Sequence, residues 1–152
     1  LRRGLATAAN IRMSTQLSVL NKPLEFATPP GVEPQTGYYR NGYCETGKQD
    51  YGLHVLAAVV NEDFLKFSAN NGNDLREILS PGYTWCLCVS RWKEAFDHRV
   101  EYGDSIVPRV LLEATHEKAL QYVKLEDLEQ FKATEEDKKG TSAFVTGKKE
   151  KS

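Results

Sequence analysis

Short apolar runs alternate with polar or turn-rich stretches along this chain, and that rhythm predicts a small α+β domain. Leu53 to Val60 is a β-branched, apolar run of strand length. Asn61 then caps a helix, with Glu62 and Asp63 in the first turn, where the helix dipole favours negative charge. Phe64, Leu65 and Ser68 share one face, and Asn70-Asn71-Gly72 supplies the stop. Tyr83 to Val89 reads as a second strand. Ser90 is the expected N-cap of a helix to Arg99, with Trp92, Ala95 and Phe96 at helical spacing. Val107 to Ala114 reads as a third strand. Thr115 to Lys118 is expected to turn it into a hairpin with Ala119 to Val123, a helix being the alternative. Leu125, Leu128 and Phe131 mark a last helix.

Upstream, Leu24 to Gly52 is dense in proline and glycine, which excludes long helices. Tyr38, Tyr39, Tyr43 and Tyr51 are interleaved there, so the segment reads as an ordered loop region pinned by aromatic rings. The expected architecture is a small mixed sheet with short helices following the strands and this Gly/Pro/Tyr-rich loop region before it. Residues 1–19 read as an N-terminal extension, 20–132 as one globular domain, and 133–152 as a polar tail that should be disordered by itself.

Charge narrows the function classes. The formal net charge of -1, with both signs mixed, argues against a dedicated nucleic-acid binder and against a polybasic membrane surface. The apolar run Val55 to Val60 is far too short to span a bilayer. Leu1 to Leu24 carries Arg2, Arg3, Arg12 and Lys22 and no acid, the composition of a mitochondrial transit peptide or its remainder. The expected location is the matrix or the matrix side of the inner membrane.

Three segments hold candidate chemistry. In Trp85-Cys86-Leu87-Cys88, a strand points Cys86, Cys88 and Ser90 to one side. The two sulfurs can share a metal or an oxidant, or act as small apolar fillers, which is the reading preferred here. A direct Cys86–Cys88 bond is strained in a strand, and zinc sites draw on wider spacings. Nothing resembles a secreted disulfide framework, so a reducing compartment is the simpler assumption.

In the second segment, Cys44 to His54, a thiol, the carboxylates Glu45 and Asp50, and the imidazole of His54 lie close in sequence. They are candidates for nucleophile, base and orienter if the fold gathers them. Side chains of Thr46 and Asp50 stitching a turn are the plainer reading. In the third, His116 is either a base or ligand or an exposed turn residue. The metal-ligand candidates are Cys44, Cys86, Cys88 and His54. No cofactor is expected.

Taken together, these pieces resemble a family of small uncharacterised, mainly bacterial proteins, domain of unknown function 2237, from about Leu20 to Leu128. The resemblance rests on Thr36-Gly37-Tyr38-Tyr39-Arg40, Cys44-Glu45-Thr46-Gly47, Asp50-Tyr51-Gly52-Leu53-His54, Gly72-Asn73-Asp74-Leu75, Trp85-Cys86-Leu87-Cys88 and Glu113-Ala114-Thr115-His116-Glu117. It implies a shared fold and no particular activity. Where the family typically carries further cysteines, this chain reads Phe26-Ala27-Thr28 and Leu56-Ala57-Ala58, and its loop from Arg76 to Thr84 is short.

Thinned thiols and added ends point to a non-catalytic accessory subunit of a larger mitochondrial complex, respiratory or metabolic, with protein partners gripping the extensions. The alternative is a cysteine- and histidine-dependent enzyme or metal/redox protein using Cys44, His54, Cys86, Cys88, His116 and Asp50.

Overall fold

The structure, a computed structural model, describes residues 13–142. Residues 1–12, part of the acid-free start on which the transit-peptide expectation rests, and the Lys-rich end 143–152 lie outside them. The fold is α+β. Strand β1 (His54–Val59) is the middle of a three-stranded sheet, flanked by β2 (Thr84–Cys88) and β3 (Arg109–Val110), and both pairings are antiparallel. The short helices are α1 (Glu62–Asn70), α2 (Val89–Asp97), α3 (Arg99–Tyr102), α4 (Leu125–Gln130) and α5 (Glu135–Ser142).

Residues 55–60 are buried throughout, as a central strand covered on both faces requires. Leu56, Ala58, Trp85 and Leu87 join the main core with Phe64 and Trp92, whereas Ala57, Val59 and Cys86 pack in a smaller cluster with Cys44 and Ala114. Trp92 is fully buried, and its indole N–H donates to Pro108 O at 3.1 Å, so the ring's one polar atom is satisfied. Asn61 caps α1 as expected: its side chain accepts from Phe64 N–H at 2.7 Å.

Several expectations are corrected. The cap of α2 is Cys88 rather than Ser90, because Val89 N–H already turns to Leu53 O at 3.1 Å and the helix begins there. The third strand pairs only at Arg109 and Val110. Beyond it the chain coils into a 3₁₀ turn at Leu112–Ala114, and the Thr115 hydroxyl, in place of a backbone carbonyl, accepts from Ala57 N–H at 3.1 Å. The hairpin after it is a 3₁₀ turn, Glu117–Gln121, since His116 N–H is held by Val55 O and the segment has no glycine to reverse tightly.

Residues on either side of 20–132 also pack against the body. Ser14 and Ser18 are buried, and Val19 sits in the core. Ala133 is buried with its N–H on Val110 O, and α5 is tied to the body by Lys138 Nζ to Glu113 Oε2 at 3.0 Å.

The Gly/Pro/Tyr loop is folded against the outer edge of β2. Gly42, at φ +88°, lets the chain turn so tightly that any side chain there would collide with Thr28 O. Thr28 and Thr36 are fully buried. The Thr28 hydroxyl accepts from Thr36 N–H, and the Thr36 hydroxyl accepts from Cys86 N–H at 2.8 Å, so the loop supplies the partner that an edge strand lacks. A disulfide between Cys44 and Cys86, with Cα atoms 5.4 Å apart, fixes the same loop covalently. The assumption that the thiols stay reduced is corrected: Cys44 lies far from Cys86 in sequence, and only the loop's path brings them together.

Closing a loop across a sequence separation of 42 corresponds to about 4 kcal/mol in the chain-entropy account. Cys44→Ala/Cys86→Ala is therefore expected to lose roughly 2–5 kcal/mol in urea unfolding. An unchanged midpoint, or an intact mass that shows no bond in the oxidised protein, overturns the staple.

Candidate functional site

The β1–β2 ladder slips by one residue at its open end. Leu56 pairs with Leu87, yet His54 pairs with Cys88, so Val55 is the extra residue of a bulge. Without the slip His54 would face Val89 and point into the opposite face of the sheet. With it, His54 and Cys88 are cross-strand neighbours on one side.

Asp50 completes the arrangement from the loop just before β1. Its carboxylate is 2 % exposed and fully engaged. Oδ1 takes His54 Nδ1–H at 2.6 Å, and Oδ2 takes Thr46 Oγ1–H at 2.9 Å and His54 backbone N–H at 3.0 Å. Asp50 thus stitches the turn and orients the imidazole together. With Nδ1 committed to Asp50, the other nitrogen is left for the sulfur of the cross-strand Cys88.

Gly52 makes the approach possible. A methyl group there would lie 2.8 Å from His54 Cε1, 3.3 Å from Nε2 and 3.4 Å from Cys88 Sγ. The bare backbone is the floor on which imidazole and thiol meet. Leu53, next in the chain, sits at φ +48°, a costly conformation for a branched side chain, immediately before the histidine.

Cys88 is the free cysteine and is half-buried. It opens into a cleft of about 350 Å³ along the edge of β2. Leu75, Ile78 and Trp85 give the cleft an apolar wall, and Tyr38 and Arg40 stand at its loop side. Tyr38 stacks toward His54 with ring centres 6.3 Å apart. Cys88 is also the N-cap residue of α2, although its side chain makes no cap hydrogen bond.

The candidate residues therefore separate. Cys88, His54 and Asp50 are brought together. Cys44 and Cys86, 0 % and 1 % exposed, are bonded to each other, so neither is a nucleophile or half of a shared metal site in this state. Among the described residues no group of three or more His, Cys, Asp and Glu side chains is arranged to hold an ion. Glu45 is buried and accepts from Ser14 Oγ–H at 2.7 Å and from Asn41 Nδ2 at 3.1 Å.

His116 is a positioning residue. Its Nδ1 accepts from Lys118 N–H, which leaves Nε2–H to donate to Gln16 Oε1 at 2.8 Å, and burial pushes its pKa down. Gln16 in turn takes Thr46 N–H at 2.9 Å and gives its amide to Thr46 O at 3.2 Å, so the network runs from His116 through Gln16 and Thr46 to Asp50.

The sulfur's hydrogen bond is the main cause that raises His54 from its ordinary 6.5 to about 9; partial burial opposes it, and Asp50's hydrogen bond and charge add to it. A raised histidine stabilises the fold fully below its unfolded value. His54's contribution is thus complete below pH 6.5 and lost as pH rises through about 9. NMR titration of the imidazole is expected to show this high value in the intact protein and a fall toward 6.5 in Cys88→Ala. A titration near 6.5 in the unaltered protein sinks the pairing.

No curated protein matches the chain. The family model described as an uncharacterized protein conserved in bacteria (DUF2237) matches residues 17–132, a span that runs past α4 and includes Asp50, His54 and Cys88. The chain belongs to that family.

Proposed function

We propose that the protein is a thiol-dependent acyl-transfer enzyme in which Cys88 is the nucleophile, His54 the proton carrier and Asp50 the orienter. One observation carries this reading: the imidazole of His54 is hydrogen-bonded to the buried Asp50 carboxylate and is the cross-strand neighbour of the Cys88 thiol, which opens into a cleft.

In the forward step the proton of the thiol–imidazole pair rests on His54, and the Cys88 sulfur bonds to the acyl carbon of an ester, thioester or amide. The carbonyl re-forms as the leaving group departs with the proton that His54 returns. Water then gives its proton to His54 and attacks the thioester. The acid leaves, the sulfur is freed, and His54 keeps the proton, which restores the starting pair. Asp50 keeps Nδ1 protonated throughout, so the nitrogen facing the sulfur is the one that exchanges protons.

The accessory-subunit reading remains a proposal carried by the composition of the chain ends, much of which falls in residues 1–12 and 143–152, outside the described residues.

Iodoacetamide labelling read by mass spectrometry is expected to modify Cys88 first in the folded protein. His54→Ala should slow it by about a hundredfold, in the range of positioned proton transfer. An aryl ester should leave an acyl adduct on Cys88. Labelling no faster than that of the urea-unfolded chain, together with no adduct, overturns the proposal.

A further inference from the structure

Resting on that reading of Cys88, the charge of the cleft goes one step further. Among the described residues the cleft lining contains no carboxylate. It contains two cationic side chains, Arg40 at the loop side and His54 beside the sulfur. Arg40 has no acidic partner among the described residues. Its Nη1 donates to Gly37 O at 2.6 Å, and its guanidinium carbon lies 5.4 Å from the centre of the Trp85 ring.

Two contacts therefore place the guanidinium over the Trp85 ring while most of its N–H donors stay uncommitted among the described residues. The backbone at Arg40 adopts φ +55°, a left-handed conformation that side chains seldom take, and it starts the side chain from this loop toward β2. A planar cation with spare donors recognises a carboxylate two-pronged. Leu75, Ile78 and Trp85 offer surface for a hydrocarbon body. The volume of about 350 Å³ lies at the small end of ligand sites, suited to a metabolite-sized molecule.

We infer that the substrate is a small acyl compound bearing a free carboxylate, held by Arg40, with its apolar body against Leu75, Ile78 and Trp85 and its acyl carbon at Cys88.

Two near-identical alkylating reagents test the charge. Iodoacetate carries a carboxylate and iodoacetamide does not. The iodoacetate-to-iodoacetamide rate ratio at Cys88 is expected to exceed that of a cysteine peptide by about tenfold, the effect of one charge-assisted contact. Arg40→Gln should return the ratio to the peptide's value. A ratio equal to the peptide's in the unaltered protein, or a preference that survives Arg40→Gln, overturns the inference. If iodoacetamide still reacts fast through His54, the nucleophile reading stands without it.

Binding keeps the inference testable should Cys88 prove unreactive. In Cys88→Ser, hexanoate is expected to shift the Trp85 indole N–H resonance, with hexanamide leaving it in place. Equal shifts from both, or from neither, overturn carboxylate recognition whatever the thiol does.

Discussion

Register governs this structure more than any single contact. A strand carries its side chains alternately up and down, so one inserted residue exchanges the two faces from that point on. Val55 is that residue. Below it, Leu56 and Ala58 serve the main core beside Leu87 and Trp85. Above it, His54 crosses to the side of Cys88. The bulge converts one hydrophobic strand into a scaffold with a polar tip, and it costs the sheet only a terminal pair. The other parts of the site serve to keep that tip in place. Asp50 binds both the ring and the backbone of His54, Gly52 leaves the space, and Leu53 accepts an unfavourable backbone angle to feed the strand in.

The polar loop before β1 is held by the sheet at one end and by the N-terminal segment at the other. Gln16 bridges the loop backbone at Thr46 to His116, which itself sits on β1 through Val55 O. Each buried polar atom along this route has a named partner, which is the condition under which such a network orders a site rather than weakening it. Support of this kind suits a carboxylate that must stay put while a neighbouring proton moves.

Much of the framework was legible in the residues. The run before Asn61 announced β1, and the Asn cap with two acids announced α1. The short third strand was not legible, because Val107 to Ala114 has a strand's composition and only the Thr115 hydroxyl and the 3₁₀ turn divert it. Cys88 as N-cap was hidden for a similar reason: Ser90 is the better cap by type, but Leu53 O decides where the helix starts. Of the site, Asp50 and His54 were visible as a pair spaced by one turn, and Cys88 as one of two strand thiols. Their meeting depended on a bulge that no local pattern marks. Arg40 was visible only as part of a family motif, since an exposed arginine beside tyrosines carries no signal until Trp85 is placed beneath it.

The bond between Cys44 and Cys86 has a consequence in counting. Three sulfurs can form at most one bridge within the chain, and whichever pair is joined, one remains over. The fold settles which one by sealing two sulfurs in its interior and leaving the third at the mouth of the cleft. An oxidising setting that completes the bridge thus leaves the remaining thiol without an intramolecular partner. The odd number of cysteines acts here as insurance that one sulfur is still available when the other two have been joined.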